Sequence, residues 1–391
     1  MKKIQHLKYQ IILLLFLSGC VNSGIEKDRD TLTVRFDFTT EPVDIHGTGL
    51  IDDVEVLNLD CKESIFANVD RIIRYRNRIY LMDKGQTRSV FIYDTSGNFV
   101  SEISKYGQGP DEYIQLTDIV IDTLNATLNL ISRMDRKMLK YDLDGKHFHS
   151  VERLPKSFSQ FSKTGYGYVG YMENYGEEPK KAYNVWTVSQ ELKLEHRFFP
   201  IDPTWESKIM GGPSAFSTYK NNLYCAMPLD FNIYKIDRDT LFIPYSFDLG
   251  KAGFPSQYGK GYEQIDNIRK ENHYILDFYH FQETDNHLII HTLYSGQNLL
   301  GVYNKNTSKS YVARLEAYTG KYFFSFGRII GIDEKAIYAL VDASSMKTAW
   351  EGKNEYNDFR TQYPEQIKRF REKFSNIDEE GNPFLVIYSI N

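Results

Sequence analysis

Apolar and aromatic residues in this chain recur in short runs of four to eight, separated by clusters of Gly, Asn, Asp and Ser. Runs of that length between turn residues read as strands rather than helices. Phe91-Ile92-Tyr93-Asp94-Thr95-Ser96-Gly97 is echoed by Leu139-Lys140-Tyr141-Asp142-Leu143-Asp144-Gly145, and more loosely around Trp186, Tyr234 and Tyr303. The steps between these aromatic anchors are 48, 45, 48 and 69 residues. A period in the forties, with β-branched and aromatic enrichment, predicts radially repeated four-stranded antiparallel sheets: an all-β propeller.

The first blade reads as Phe66 to Tyr75, Arg78 to Met82, Ser89 to Tyr93 and Phe99 to Ser104. The second repeats it as Ile114 to Asp122, Thr127 to Ser132, Lys137 to Tyr141 and His147 to Arg153. Blade three shows Tyr166 to Met172, Tyr183 to Val188 and Leu192 to Phe199, and blade four Leu223 to Met227, Asn232 to Ile236 and Thr240 to Phe247. An insertion, Gly250 to Tyr262 followed by a helix-like stretch Glu263 to Glu271, accounts for the 69-residue step. Blade five resumes with Tyr274 to Phe281, His287 to Leu293, Leu299 to Tyr303 and Ser310 to Leu315. The last blade begins with Tyr322 to Ile332 and Lys335 to Val341 and ends with Phe384 to Ile390. Between them Phe359, Tyr363, Ile367, Phe370 and Phe374 form the apolar stripe of an amphipathic helix, with Pro364 at its start or at a kink.

Six blades use every strand-like segment provided that Val54 to Leu59 joins the C-terminal blade, which is one strand short. That pairing removes the two open sheet edges a broken ring would expose. With 391 residues, 29 Tyr and 25 Phe, the chain has ample material for so large a core, and closed all-β folds of this length form one domain.

The first residues read as a processing signal. Lys2, Lys3 and Lys8 precede the apolar run Ile11 to Leu17, which is too short to span a bilayer, and Leu17-Ser18-Gly19-Cys20 follows. This Leu-Ser-Gly-Cys is similar to the bacterial lipobox, which implies acylation of Cys20 as the new N-terminus. The expected organisation is therefore a signal peptide over 1–19, a lipidated N-terminus and tether over 20–50, and the propeller over 51–391. Val21, rather than Asp, after the cysteine points to the outer membrane, on either its periplasmic or its exterior side. Loss of three lysines leaves 44 basic against 52 acidic residues, a net charge of −8, so nothing favours nucleic acid and the membrane contact rests on the lipid anchor.

Further on, Gly107-Gln108-Gly109-Pro110-Asp111-Glu112-Tyr113 is similar to a Gly-x-Gly-Pro-x-Glu-aromatic loop. Together with the lipobox and the Ile79-Tyr80 and Phe91-Ile92-Tyr93-Asp94-x-x-Gly97 patterns, it makes the chain resemble the six-bladed propeller lipoproteins of Bacteroides-type bacteria, relatives of the NHL-repeat propellers. The resemblance implies export to the envelope and a role that is non-enzymatic or unassigned.

The Gly107–Tyr113 loop lacks the Lys-Ser/Thr and the strand-to-helix context of a nucleotide site. It reads first as an inter-blade connection whose glycines take positive φ, and second as a ligand-facing loop presenting Gln108, Glu112 and Tyr113. Gly259-Lys260-Gly261-Tyr262-Glu263 partly echoes it. His147, His149, His273, His280, His287 and His291 read as satisfied or surface histidines, and no metal ligand set or cofactor motif emerges. Asp118, Asp122 and Asp277 lie near inner strands without a recognisable pattern, and Gly-x-Ser-x-Gly is absent. Cys61 and Cys225 are either free or one disulfide. Two functions follow: a binding or scaffold module for a glycan, peptide or partner protein, or a metal-dependent lactonase, lyase or hydrolase working in the central channel.

Overall fold

The computed structural model describes residues 25–26, 30–62, 65–176, 182–205, 208, 212, 214–255, 261–271, 273–314, 327–351, 364–374 and 377–391. Six sheets, each built on four antiparallel strands, form a ring. Blade one is Arg71–Tyr75, Arg78–Asp83, Ser89–Asp94 and Phe99–Ile103; blade two is Leu116–Asp122, Thr127–Ser132, Lys137–Asp142 and Phe148–Arg153. Blade three is Gln160–Lys163, Gly167–Tyr171, Tyr183–Ser189 and Leu194–Pro200; blade four is Phe216–Tyr219, Asn222–Ala226, Asn232–Asp237 and Thr240–Asp248. Blade five is His280–Glu283, His287–Tyr294, Gln297–Asn304 and Lys309–Arg314; blade six is Arg328–Ile332, Ala336–Val341, Phe384–Ile390 and, from the other end of the chain, Ile51–Asn58.

The aromatic anchors of the sequence repeat all fall in third strands: Tyr93, Tyr141, Trp186, Tyr234 and Tyr303. The Asp after Tyr93 explains the turn chemistry. Asp94 Oδ1 accepts the Ser96 and Asn98 amides at 2.8 and 3.0 Å while Gly97 takes φ +89°, and Asp142 with Gly145 (φ +66°) repeats the device. Neighbouring blades share apolar cores because side chains alternate between sheet faces. In blade six, Phe384, Val386 and Tyr388 face blade five, whereas Leu385 and Ile387 face blade one.

The two chain ends meet in blade six, where Phe384–Ile390 pairs with Ala336–Val341 on one side and Ile51–Asn58 on the other, Val386 standing opposite Val56. The segment between the expected tether and this strand differs from the sequence reading. Leu32–Arg35 lies parallel along the outer edge of blade four, and Val43–Asp44 along that of blade five. Val34, Phe36, Phe38, Ile45 and Leu50 are buried, so residues 32–50 belong to the folded ring rather than to a tether.

Other differences are local. The inner strands of blades three and four, Gln160–Lys163 and Phe216–Tyr219, were not legible in the sequence pattern, and the inner strand of blade five starts at His280 rather than Tyr274. Helices occupy Tyr262–Glu271, Ala343–Glu351 and Pro364–Phe374. Pro364 starts the last of these, whose Phe370 and Phe374 are buried in the blade five–six core; Phe359 and Tyr363 lie outside the described residues. Cys61 and Cys225 are free thiols, and burial pushes the Cys225 thiol up.

Because every blade runs down, up, down and up from the axis outward, two kinds of connection share one end of the ring. These are the inter-blade crossings and the turns between second and third strands. All the long insertions therefore emerge on one face, here the loop face; the opposite, turn face carries tight hairpins such as Asp94–Asn98 and Asp142–His147.

Candidate functional site

At the axis, polar side chains stitch blade to blade. Arg71, first in its inner strand, reaches across to blade four, where Nη1 donates to Ser214 Oγ at 2.9 Å, and its Nε lies 3.4 Å from Asp118 Oδ1 of blade two. Asp118 in turn accepts the Phe161 amide of blade three at 2.8 Å. Gln160 Oε1 takes the Ala215 amide at 2.7 Å, Gln282 Nε2 donates to the Thr218 carbonyl at 3.0 Å, and Arg328 Nη2 donates to Asn68 Oδ1 at 2.8 Å. Burial pushes the Asp118 carboxyl up against the opposing pull of Arg71. Polar residues on or beside the inner strands carry these bonds.

At the junction of blades five and six, the loop face holds a cavity of about 860 Å³. Its lining mixes apolar residues, among them Phe66, Ile329 and Leu340, with the polar Asn68, Tyr279, His291 and Asn298. His291 and His280 are direct cross-strand partners. Their rings lie nearly parallel, with centroids 5.3 Å apart and an interplanar angle of 9°, and meet edge to edge with the two Nδ1 atoms 3.1 Å apart. Burial pulls His291 down to about 4 and His280 well below its ordinary value, so both rings are neutral. One ring must then donate from Nδ1 and the other accept, in opposite tautomers. The Asn298 side chain hydrogen-bonds the His291 ring, and Tyr279 stands edge-on to that ring at 5.4 Å.

The residues singled out in the sequence are placed differently from one another. Gln108 is exposed on the loop face, whereas Glu112 and Tyr113 are turned inward. Glu112 Oε2 accepts the Gly109 amide at 2.7 Å. The fully buried Tyr113 donates its hydroxyl to the Arg88 carbonyl at 2.6 Å and accepts the Lys105 amide, which leaves no face of it for a ligand. Neither Gly107 nor Gly109 takes a positive φ; both are close to the Glu112 carboxylate that folds over them, and a Cβ at Gly107 would collide with it. The loop carries the chain from the outer strand of blade one to the inner strand of blade two. Cys20, Gly259 and Lys260 lie outside the described residues.

The carboxylates do not converge. Asp118 and Asp122 sit four residues apart on one strand, about 13 Å at strand rise, and Asp122 holds the Leu124 and Asn125 amides with Lys163 at 3.3 Å. Among the described residues, no three His, Cys, Asp or Glu side chains gather where they could hold a metal ion. His147 bonds Asp142 at the surface, and His287 meets the Asn391 carbonyl at 3.2 Å. Sequence reasoning missed Arg71, Arg328, Asn68, Tyr279 and Asn298. The available signal was His280 and His291, whose partnership is set by strand register rather than by spacing along one strand.

A family model described as a domain of unknown function, DUF4934, matches residues 33–389. Among solved structures, a Bacteroides fragilis protein assigned as exported superposes with a TM-score of 0.73 at 19% identity, over 92% of this chain and 99% of its own. A DUF4221 member from Bacteroides vulgatus is more distant, with a TM-score of 0.48 at 11% identity over 88% and 97% of the two chains. The first similarity shows a shared fold. No curated protein matches the chain.

Proposed function

The chain belongs to the DUF4934 family, and from that premise we propose that it is an envelope-anchored binding or scaffold module, a rigid ring that presents its loop face to a glycan, peptide or partner protein. The observation that carries this reading is the gathering of every long insertion and the 860 Å³ cavity on one face of a ring stitched rigid at its axis. Loops held on a rigid scaffold are where recognition concentrates. The anchor is Cys20, as in the lipoprotein propellers the sequence resembles, and Val21 favours the outer membrane.

The edge strand on blade four supports an orientation. Leu32–Arg35 runs parallel to Thr240–Asp248, from Leu32 opposite Tyr245 toward Arg35 opposite Asp248, that is, from the turn face toward the loop face. Ile25 pairs with Leu241, nearer still to the turn face. Ile25 lies five residue steps from Cys20, a reach of at most about 18 Å. A membrane at Cys20 thus lies against the turn face, with the loop face directed away. No helix among the described residues is long and apolar enough to cross a membrane. Fractionation of cells expressing Cys20→Ala tests the anchor: the variant is expected in the soluble fraction, and undiminished membrane retention would overturn it.

A further inference from the structure

The turn face, which the orientation above directs toward the membrane, is uneven in polarity. Leu124 stands at the tip of the hairpin between the first and second strands of blade two and is 81% exposed, more than any other large apolar side chain among the described residues. Phe148 (41%) and Leu194 (37%) begin the outer strands of blades two and three, just past the hairpins that start at Asp142 and Ser189. The two hairpins of blade two are neighbours, because Thr127 pairs with Asp142. Those of blades five and six present Asp285, Asn306, Thr307, Glu334 and Lys335 instead. A single exposed Leu is ordinary on a protein surface. Leu124, however, is held out by a built turn, in which Asp122 accepts the Leu124 and Asn125 amides at 3.0 and 3.1 Å and the Asn125 side chain at 2.9 Å. The carboxylates around it are turned to partners within the protein: Asp122 to Lys163, Asp142 to His147 and Asp144 to Arg78. Lys146, in the same corner, is exposed.

We propose, resting on that orientation, that the blade two–three corner of the turn face is a lipid-binding surface. Leu124 and Phe148 enter the upper acyl chains and Lys146 meets the lipid phosphates, so the ring is seated on the bilayer rather than hanging from its tether. Apolar tips beside an exposed ammonium suit the interface of a bilayer that contains anionic lipid. The chain outside the fold supplies the second support. It leaves from Ile25 on the edge of blade four, and the five steps to Cys20 keep the turn face within about 18 Å of the bilayer. On so short a tether the corner meets the surface at a high effective concentration, so a contact too weak to hold an untethered protein suffices. Anchor and corner lie on one side of the ring, blades two to four, and engage together. Blades five and six, with their polar and charged tips, then stand farther from the lipid.

The test is fluorescence quenching on the acylated full-length protein in vesicles of phosphatidylethanolamine and phosphatidylglycerol. A dye is placed beside the corner by Thr123→Cys, on blade five by Thr307→Cys, or on the loop face by Gln108→Cys, all exposed positions, each in a Cys61→Ser background; Cys225 is buried. Lipid carrying a nitroxide on its acyl chain is expected to quench the dye at the Thr123 site more strongly than at the Thr307 site, and to leave the Gln108 site untouched. Adding Leu124→Asp, at an exposed position, should move the Thr123 dye out of reach of the nitroxide while the lipid anchor keeps the protein on the vesicle. Equal quenching at the Thr123 and Thr307 sites, none at either, or a Thr123 signal unmoved by Leu124→Asp would each overturn the proposal. Stronger quenching at the Thr307 site would leave the turn face on the membrane and remove only this seating, whereas quenching at the Gln108 site alone would remove the orientation as well.

Discussion

A side chain at Gly107 would run into the Glu112 carboxylate, and one at Gly97 into the Asn58 backbone carbonyl, but the two clashes differ in kind. Glu112 can swing away, at the loss of its bond to the Gly109 amide, so Gly107→Ala should destabilise by about 1 kcal/mol. Gly97 combines φ +89° with a collision against backbone that cannot move, and Gly97→Ala should cost about 2 kcal/mol or more. Urea unfolding of both variants gives the ranking; equal effects would contradict it. Positive φ was legible at Gly97, where Tyr-Asp-x-x-Gly is a local turn signal. At Gly107 it was misread, since the constraint comes from a side chain five residues on. The histidine pair makes a second prediction at this scale. Burial holds His291 at about 4 in the folded ring against an ordinary value of 6.5, and His280 well below that ordinary value too, so the unfolded chain binds more protons between 6.5 and 4. Their contribution is fully present above pH 6.5 and is lost as pH falls toward 4, on the order of 3 kcal/mol for His291. Asp118, pushed up by burial, acts in the opposite direction. The wild-type unfolding midpoint should therefore fall from pH 7 to pH 4.5 by more than that of His291→Asn; parallel pH profiles would refute the assignment.

Strands that pack apolar faces on both neighbours declared themselves in the sequence, as did the inner strands of blades one and two, whereas the four-residue inner strands of blades three and four did not. Lys137–Asp142 and its counterparts repeat because both faces of a third strand are buried between blades. Gln160–Lys163 and Phe216–Tyr219 have four residues each, with polar side chains aimed at other blades, and no period survives in so short a run. The aromatic residues from Tyr274 to Tyr279 imitate a strand but form the approach to blade five, with Ile275 and Phe278 packed into the core between blades four and five. The Pro364–Phe374 helix was legible from its stripe, whereas Ala343–Glu351 buries only Ala343 and Met346 and left little trace. Phe370 is 1% exposed and stacks near Phe374 at 5.6 Å, so Phe370→Ala should cost about 3–5 kcal/mol, read as a shift of the denaturation midpoint. A change below about 1 kcal/mol would mean that the helix does not help hold the blade five–six core.

On the scale of the molecule, the ring depends on a strand pairing between residues more than three hundred positions apart, Val386 with Val56. Deleting residues 384–391 removes the middle of three paired strands and opens the cores on both sides, so the whole domain should lose its cooperative transition rather than fray at one blade. A truncated chain that stayed soluble with an unchanged Tm would contradict this. Blade number and ring closure were readable because the repeat period and the strand count constrain each other. The wrapping of residues 32–50 was not, since Leu32–Arg35 and Val43–Asp44 are short edge additions whose partners lie far along the chain. That wrapping underlies the orientation proposed for the ring, with the loop face directed away from the membrane. The most direct measurement places a photo-crosslinking residue at Gln108 or Ser345 on the loop face, and at Leu124 or Lys146 on the turn face, in cells carrying the intact protein. The account predicts adducts with envelope glycan, peptide or protein from the first pair and with lipid from the second. The reverse pattern, or equal labelling of both faces, would contradict it.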